Sequence, residues 1–220
     1  MDQQYIKEHK IGVPYEGFAE FTRKVAAEGV VLLKNDNNVL PLQKGEKVSL
    51  FGRAQINYYR TGTGSGGSVN VLYTSNIVEG LRTKKDVELN EDLVSVYEEW
   101  IKENPFDDGG RAWAAEPHCQ KEMPVTEELA KEAAEHSDKA IVIIGRNAGE
   151  DKDNTPGEGS FLLQQEEINT LETVTKYFDK VVVMLNVSNI INMSWVEDER
   201  FKDRIQSIIY VWEGGIEGGN

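Results

Sequence analysis

AIVIIGRNAGEDKDNTPGEGSFLL, residues 140–163, is the stretch whose reading decides the fold. Its first five residues, Ala140-Ile141-Val142-Ile143-Ile144, are apolar without alternation, the pattern of a strand buried on both faces of a parallel sheet. The chain leaves that strand at Gly145 and enters a loop of Gly, Asn, Asp, Glu and Pro. This loop carries the carboxylates Glu150, Asp151, Asp153 and Glu158 against a single amine, Lys152. In an open α/β sheet, ligands meet the protein at loops that follow the carboxyl ends of strands. A merely solvated acidic loop is the alternative that the same residues allow.

Working outward, residues 126–136 read as a helix that feeds the strand, and Ile168, Leu171, Val174 and Phe178 mark one face of a helix over 164–178. Residues 181–185 and 205–211 are two further apolar strands, with a short helical stretch expected around 190–195 between them. Upstream, residues 48–51 form the first central strand and residues 87–89 a minor one. Leu93, Val96, Tyr97, Trp100 and Ile101 recur at helical spacing behind Asn90, which predicts a helix over 90–102 capped by that asparagine. Ser75 is read as the cap of a short helix ending near Leu81. Phe18, Phe21 and Val25 share a face of a helix from Gly17 to about Gly29, with a β-branched run at 30–33 behind it; residues 1–16 read as an arm or lead-in. This alternation predicts an α/β fold: an open, mainly parallel sheet with helices on both faces, in flavodoxin-like layering.

Two loops stand out. Residues 61–69 interleave Gly62, Gly64, Gly66 and Gly67 with Thr and Ser, ten residues too late after their strand for a dinucleotide fingerprint. Tight turns against a neighbouring element explain such glycines as well. Residues 103–125 form a long irregular loop with Trp113 and His118, and loops of that length inside a compact domain are often functional.

Composition bounds the rest. A chain of 220 residues with a formal charge of −14 lacks the basic face that nucleic acid requires. The lone Cys119 offers no internal disulfide, the N-terminal residues lack a signal-peptide pattern, and no apolar run is long enough for a bilayer. The expectation is a cytoplasmic protein with no membrane or nucleic-acid partner.

Four stretches together resemble the α/β-sandwich domain of glycoside hydrolase family 3, the β-glucosidase group. They are residues 26–35 (AAEGVVLLKN) followed by Leu40-Pro41-Leu42, residues 48–52 with the later GTGSGGSV at 62–69, residues 145–153 with Glu150 and Asp153 in an E-x-x-D core, and residues 212–220 (WEGGIEGGN). The resemblance covers nearly the whole chain in order, and assigns residues 17–220 to that domain. In this family a (β/α)8 barrel supplies an aspartate nucleophile and the sandwich domain lends a general acid/base, which maps onto Glu150. Such a retaining glycosidase holds two carboxyl groups about 5–5.5 Å apart across the scissile bond. The acid must be protonated to serve the leaving oxygen, then act as base toward water.

The chain departs from the family's usual E-G-x-D-R form: Asp151 stands where Gly is usual and Asn154 where Arg is usual. Glu158 therefore stays an alternative acid. Gly64, Ser65, Gly66, Asp153 and Trp113 are expected at the substrate or at the domain interface. The resemblance implies a β-linked glucoside or oligosaccharide as substrate, the barrel as partner, and no cofactor or metal. No barrel sequence is present, and residues 212–220 read as the edge of a cut domain. An inverted order, with the barrel following, is the expectation, and the 220 residues alone should be inactive. A non-catalytic carbohydrate-binding or structural module, and a phosphate or nucleotide binder using the glycine loop, remain open.

Overall fold

In the computed structural model, Gln4, residues 15–67 and residues 69–220 are described. The arm read over 1–16 therefore lies almost wholly outside the described residues. Six strands, β1 (Val31–Asn35), β2 (Glu46–Phe51), β3 (Val87–Leu89), β4 (Lys139–Arg146), β5 (Val181–Val187) and β6 (Ile205–Tyr210), form one sheet in the order β1-β6-β5-β4-β2-β3. Neighbours among β2 to β6 are parallel. The run at 30–33 proves to be an antiparallel edge strand on β6, and its side chains Val31, Leu32 and Leu33 are exposed in this chain. Five helices accompany the sheet: α1 (Phe18–Gly29), α2 (Ile77–Arg82), α3 (Glu91–Glu103), α4 (Glu127–Glu135) and α5 (Gln165–Tyr177). Among the described residues no helix is long and apolar enough to cross a membrane.

Burial follows the strand pattern. Every residue of β4 is buried, as its unbroken apolar run predicts for a strand covered on both faces. Alternate β4 residues separate into two cores. Ala140, Val142 and Ile144 pack with Val183, Leu185, Ala130, Leu171 and Val174. Ile141 and Ile143 pack with Val48, Leu50, Val182, Ile77 and Val78. Helices α4 and α5 thus cover one face and α2 the other, the doubly wound arrangement expected.

Local details correct the helix readings. Asn90 caps α3, accepting from the Leu93 amide at 3.4 Å, but the buried side of that helix is Leu93, Val94 and Tyr97, and Val96 is exposed. Leu93 and Tyr97 belong to one core and Val94 to the other, so the helix serves both at once. Helix α2 is capped by Asn76, not Ser75; Asn76 and Glu79 form a reciprocal capping box, while the Ser75 hydroxyl donates to the Ile216 carbonyl. Residues 190–193 are irregular, and the helical turn expected there is a 3-10 turn at Ser194–Glu197. No residue of α1 is buried, and its face of Phe21 and Val25 is left exposed.

One polar contact inside this core governs the acidic loop. Arg146, the last residue of β4, is buried against Glu167 of α5 through two hydrogen bonds of 2.5 Å. Glu167 also accepts the Gln164 amide at 2.9 Å, which fixes the start of α5. The guanidinium donates further to the carbonyls of Ser160 and Leu162, both 3.2 Å away. The returning limb of the loop is thereby tied to the strand from which the loop departs. Removing one partner of such a pair strands the other as an unpaired buried charge, at about 3–5 kcal/mol. Glu167→Ala should therefore lower the unfolding free energy by about 3–5 kcal/mol in urea denaturation; a loss below about 1 kcal/mol would mean that the pair does not anchor the loop.

Candidate active site

The parallel strands run β3-β2-β4-β5-β6, an order in which the chain winds away in opposite directions from the β2/β4 junction. Crevices at such a switch point, beyond the carboxyl ends of the strands, are where open α/β sheets take their ligands. The loop after β2 contains the glycine run, and the loop after β4 is the acidic loop. They leave the same sheet edge and pair with one another: the Thr63 amide donates to the Ala148 carbonyl at 2.9 Å, and Thr63 and Gly149 form a parallel bridge.

The glycines make this approach possible. A Cβ at Gly62 would lie 2.3 Å from the Ala148 carbonyl oxygen, and one at Gly64 would lie 2.4 Å from the Glu150 Cβ. Gly64 also has φ +89°, a backbone region that side chains rarely adopt. The glycine loop is thus a close-packing surface for the acidic loop, as one of the two readings of its sequence held.

Glu150 is exposed at the tip. Its Oε2 accepts the Ser65 amide at 3.0 Å, so the carboxyl group is seated on the glycine loop. Asp151, where the family's form has Gly, has φ +57°. Aspartate is one of the few residues that enter this left-handed region readily, which explains how it replaces glycine. Its Oδ2 then accepts the Trp113 indole N–H at 2.7 Å. Lys152 reaches the Ala114 carbonyl at 3.2 Å. The loop over 103–125 is therefore held against the acidic loop.

Asn154, in the place of the family's Arg, bridges the Ile190 carbonyl and the Asn189 amide at 2.9 and 2.7 Å. It braces the loop from the β5 side. Not every expected site residue joins this cluster. Gly66 lines a separate groove beside α1, Asp153 is exposed and lies outside the cleft lining, and Glu158 is exposed on the returning limb, where its backbone bridges Leu162.

Between the glycine loop and the loop over 103–125 lies a cleft of about 470 Å³, lined by Tyr58, Thr63, Gly64, Phe106, Trp113 and Glu116 among others. An apolar cavity of about 290 Å³ lies elsewhere, between α1, α2 and the sheet, and bears no relation to the carboxylates of the loop. The back of the cleft is braced by Asn186 at the end of β5. Its amide donates to the Tyr59 and Trp212 carbonyls, and its oxygen accepts the Tyr59 amide. The segment 212–220 then closes against the β2 loop, through Gly214 N–H to the Tyr58 hydroxyl at 3.0 Å and Gly215 N–H to the Arg60 carbonyl at 2.9 Å.

Two carboxyl groups that drew no attention in the sequence lie in this loop, Glu116 half-buried and Glu122 buried. Burial pushes Glu116 up to about 7. Its Oε1 accepts the Asn147 amide at 2.6 Å. Burial likewise pushes Glu122 up to about 8, although it accepts the Arg53 amide at 2.9 Å. Only their place in the loop over 103–125 could have marked them, because their burial comes from elements distant in the chain.

A match to the model of the glycosyl hydrolase family 3 C-terminal domain spans residues 30–220. A curated beta-glucosidase of Ruminococcus albus is 46% identical over 209 residues, 95% of this chain and 21% of the relative. Beta-glucosidase A of Butyrivibrio fibrisolvens is 33% identical over 91% of this chain and 26% of its own length. Among solved structures, a beta-glucosidase from Paenibacillus barengoltzii superposes with TM-score 0.92 at 58% identity, covering 95% of this chain and 22% of that one. Beta-glucosidase 3B of Thermotoga neapolitana, solved with glucose, superposes with TM-score 0.77 at 32% identity over 91% of this chain and 28% of that one. The chain thus spans between about a fifth and somewhat over a quarter of the length of these relatives.

The buried acids give a pH dependence of stability. A carboxyl whose midpoint is raised on folding stays protonated in the native state while the unfolded chain has already ionised. The stability it confers is complete below the unfolded midpoint of about 4.3 and declines as pH rises toward the folded one. The melting temperature should fall between pH 5 and pH 8, and Glu122→Gln, which keeps an acceptor for the Arg53 amide, should flatten that fall. An equally steep fall in the variant would show that Glu122 ionises freely in the folded protein.

Proposed function

The chain belongs to the C-terminal domain family of glycosyl hydrolase family 3, and from that premise we propose that it supplies the general acid/base of a retaining β-glucosidase through Glu150. The carrying observation is that the Glu150 carboxyl, seated on the Ser65 amide, stands at the switch-point crevice beside the cleft lined by Gly64 and Trp113. Neither Glu150 nor Glu158 lines the cleft itself, but only Glu150 is seated on the glycine loop, through the Ser65 amide, which favours it of the two candidates. The partner is the companion barrel of a longer polypeptide, which brings the aspartate nucleophile.

In this reading a β-glucoside sits with its glycosidic oxygen at Glu150 and its leaving group over the cleft. The nucleophile attacks the anomeric carbon while Glu150 gives its proton to the departing oxygen. Glu150, now a carboxylate, takes a proton from the water that releases the glycosyl-enzyme. Trp113 offers an apolar plate for the leaving sugar, and its indole is held in place by Asp151. The Ser65 amide fixes the carboxyl against free rotation, which keeps the proton aimed at one position.

The test is Glu150→Gln in the full-length enzyme, assayed with leaving groups of graded acidity. Poor leaving groups should lose about 10²–10⁴-fold in rate, the range typical of general acid catalysis. Good leaving groups should keep glycosylation, and azide should restore turnover by attacking without a base. Glu158→Gln should behave as the parent enzyme. Equal slowing of all substrates with no azide rescue would remove Glu150 from the role and pass it to Glu158.

A further inference from the structure

We infer that Glu116 is a specificity-determining residue of the proposed site, accepting hydrogen bonds from the hydroxyl groups of a leaving-group saccharide seated against Trp113. The inference rests on the glucosidase reading above, but it assigns a second carboxylate with a different task.

Geometry carries it. Glu116 lines the same cleft as Trp113, Thr63 and Gly64. Its Oε1 is fixed by the Asn147 amide at 2.6 Å, and among the described residues its Oε2 makes no hydrogen bond. Asn147 is anchored in turn, its amide N–H donating to the His118 carbonyl at 2.7 Å. The carboxyl group is therefore oriented, with one acceptor left for a visitor. Beside it, the buried Oδ1 of Asn147 and the buried hydroxyl of Tyr59 have no partner. Buried polar atoms are rarely left unpaired, and such atoms call for a bridging water or ion, so the wall behind the Glu116 carboxyl is polar rather than apolar.

Chemistry selects the ligand. A fixed carboxylate oxygen next to an aromatic plate suits a sugar ring, with apolar C–H faces and equatorial hydroxyl donors. It gives nothing to a plain aryl leaving group. Burial without a cation at ion-pair distance leaves Glu116 with a midpoint of about 7. The charged groups around it are Lys152 of the acidic loop, Asp108 of its own loop and Glu213 after β6, and it acts in turn on Tyr59 after β2. Arg60 and Arg111 also line the cleft. Lys152 favours the ionised form, and Asp108 and Glu213 oppose it. Hydrogen bonds to an ionised acceptor are roughly twice as strong as neutral ones. Saccharide binding should therefore strengthen as pH rises through about 7, and by linkage the bound sugar should lower the Glu116 midpoint.

The experiment titrates the 220-residue chain with cellobiose, followed by NMR of the Trp113 indole N–H at pH 5.5 and 8.5. Expected are a shift of that signal and binding about fivefold tighter at the higher pH, the gain of about 1 kcal/mol that ionising one acceptor brings. Glu116→Gln should bind with the low-pH affinity at both values. In the unmodified chain, side-chain carbon NMR should show the Glu116 midpoint falling on addition of cellobiose, a readout that does not depend on the variant folding. If cellobiose moves the Trp113 signal while pH, Glu116→Gln and the Glu116 midpoint change nothing, the role of Glu116 is overturned and that of Trp113 stands. If the indole does not respond, no saccharide occupies the cleft and the inference falls. Neither result touches the acid/base role of Glu150, which the leaving-group series judges separately.

Discussion

The reversal of winding at the β2/β4 junction is the constraint on which everything else depends. Strand β2 has β3 on one side and β4 on the other, so the connections from β2 and β4 diverge to opposite sides and leave a crevice above their carboxyl ends. Once the loops after β2 and β4 meet, the contact has to be close, and Gly62 and Gly64 are the residues that permit it. Glu150 is then presented on a backbone that two strands position together.

A loop leaving a buried strand is still free to sway at its far limb, and the Arg146–Glu167 pair removes that freedom. It joins the end of β4, the returning limb at Ser160 and Leu162, and the first turn of α5. A pair of this kind adds little stability compared with apolar residues of the same volume, and its retention is better explained by what it holds in place. Asn186 plays the corresponding part behind the β2 loop. Carboxylate chemistry on a surface loop needs such support, because a displacement of about 1 Å can cost a hundredfold in rate.

Much of this was legible in the chain. The unbroken apolar runs at 140–144 and 181–185 can hardly be anything but central parallel strands, and Asn90 announces its helix. Glu150 and the glycine run at 62–67 stood out by resemblance, and loops that both follow parallel strands leave the sheet at the same edge. What sequence could not show is set by tertiary contact. Val94 is buried and Val96 is not, because α3 packs into both cores and Val94 is the residue that enters the second. Trp113 is held because Asp151 turns left-handed to reach it. Arg146, Glu116 and Glu122 read as ordinary charged residues; only the fold shows that Arg146 and Glu122 are buried and Glu116 half-buried. The exposed faces of α1 and β1 mark the opposite case, apolar pattern without a covering element among the described residues.

The central claim is that the glycine loop exists to seat Glu150, and Gly64→Ala in the full-length enzyme tests it most directly. An added methyl would fall 2.4 Å from the Glu150 Cβ and 2.8 Å from its Oε2, displacing the carboxyl group without altering it. The measurement is the dependence of the glycosylation rate on leaving-group acidity. The account predicts that the folded variant loses poor leaving groups selectively and retains good ones, the signature of a misplaced acid. A folded Gly64→Ala enzyme with the leaving-group dependence of its parent would contradict it.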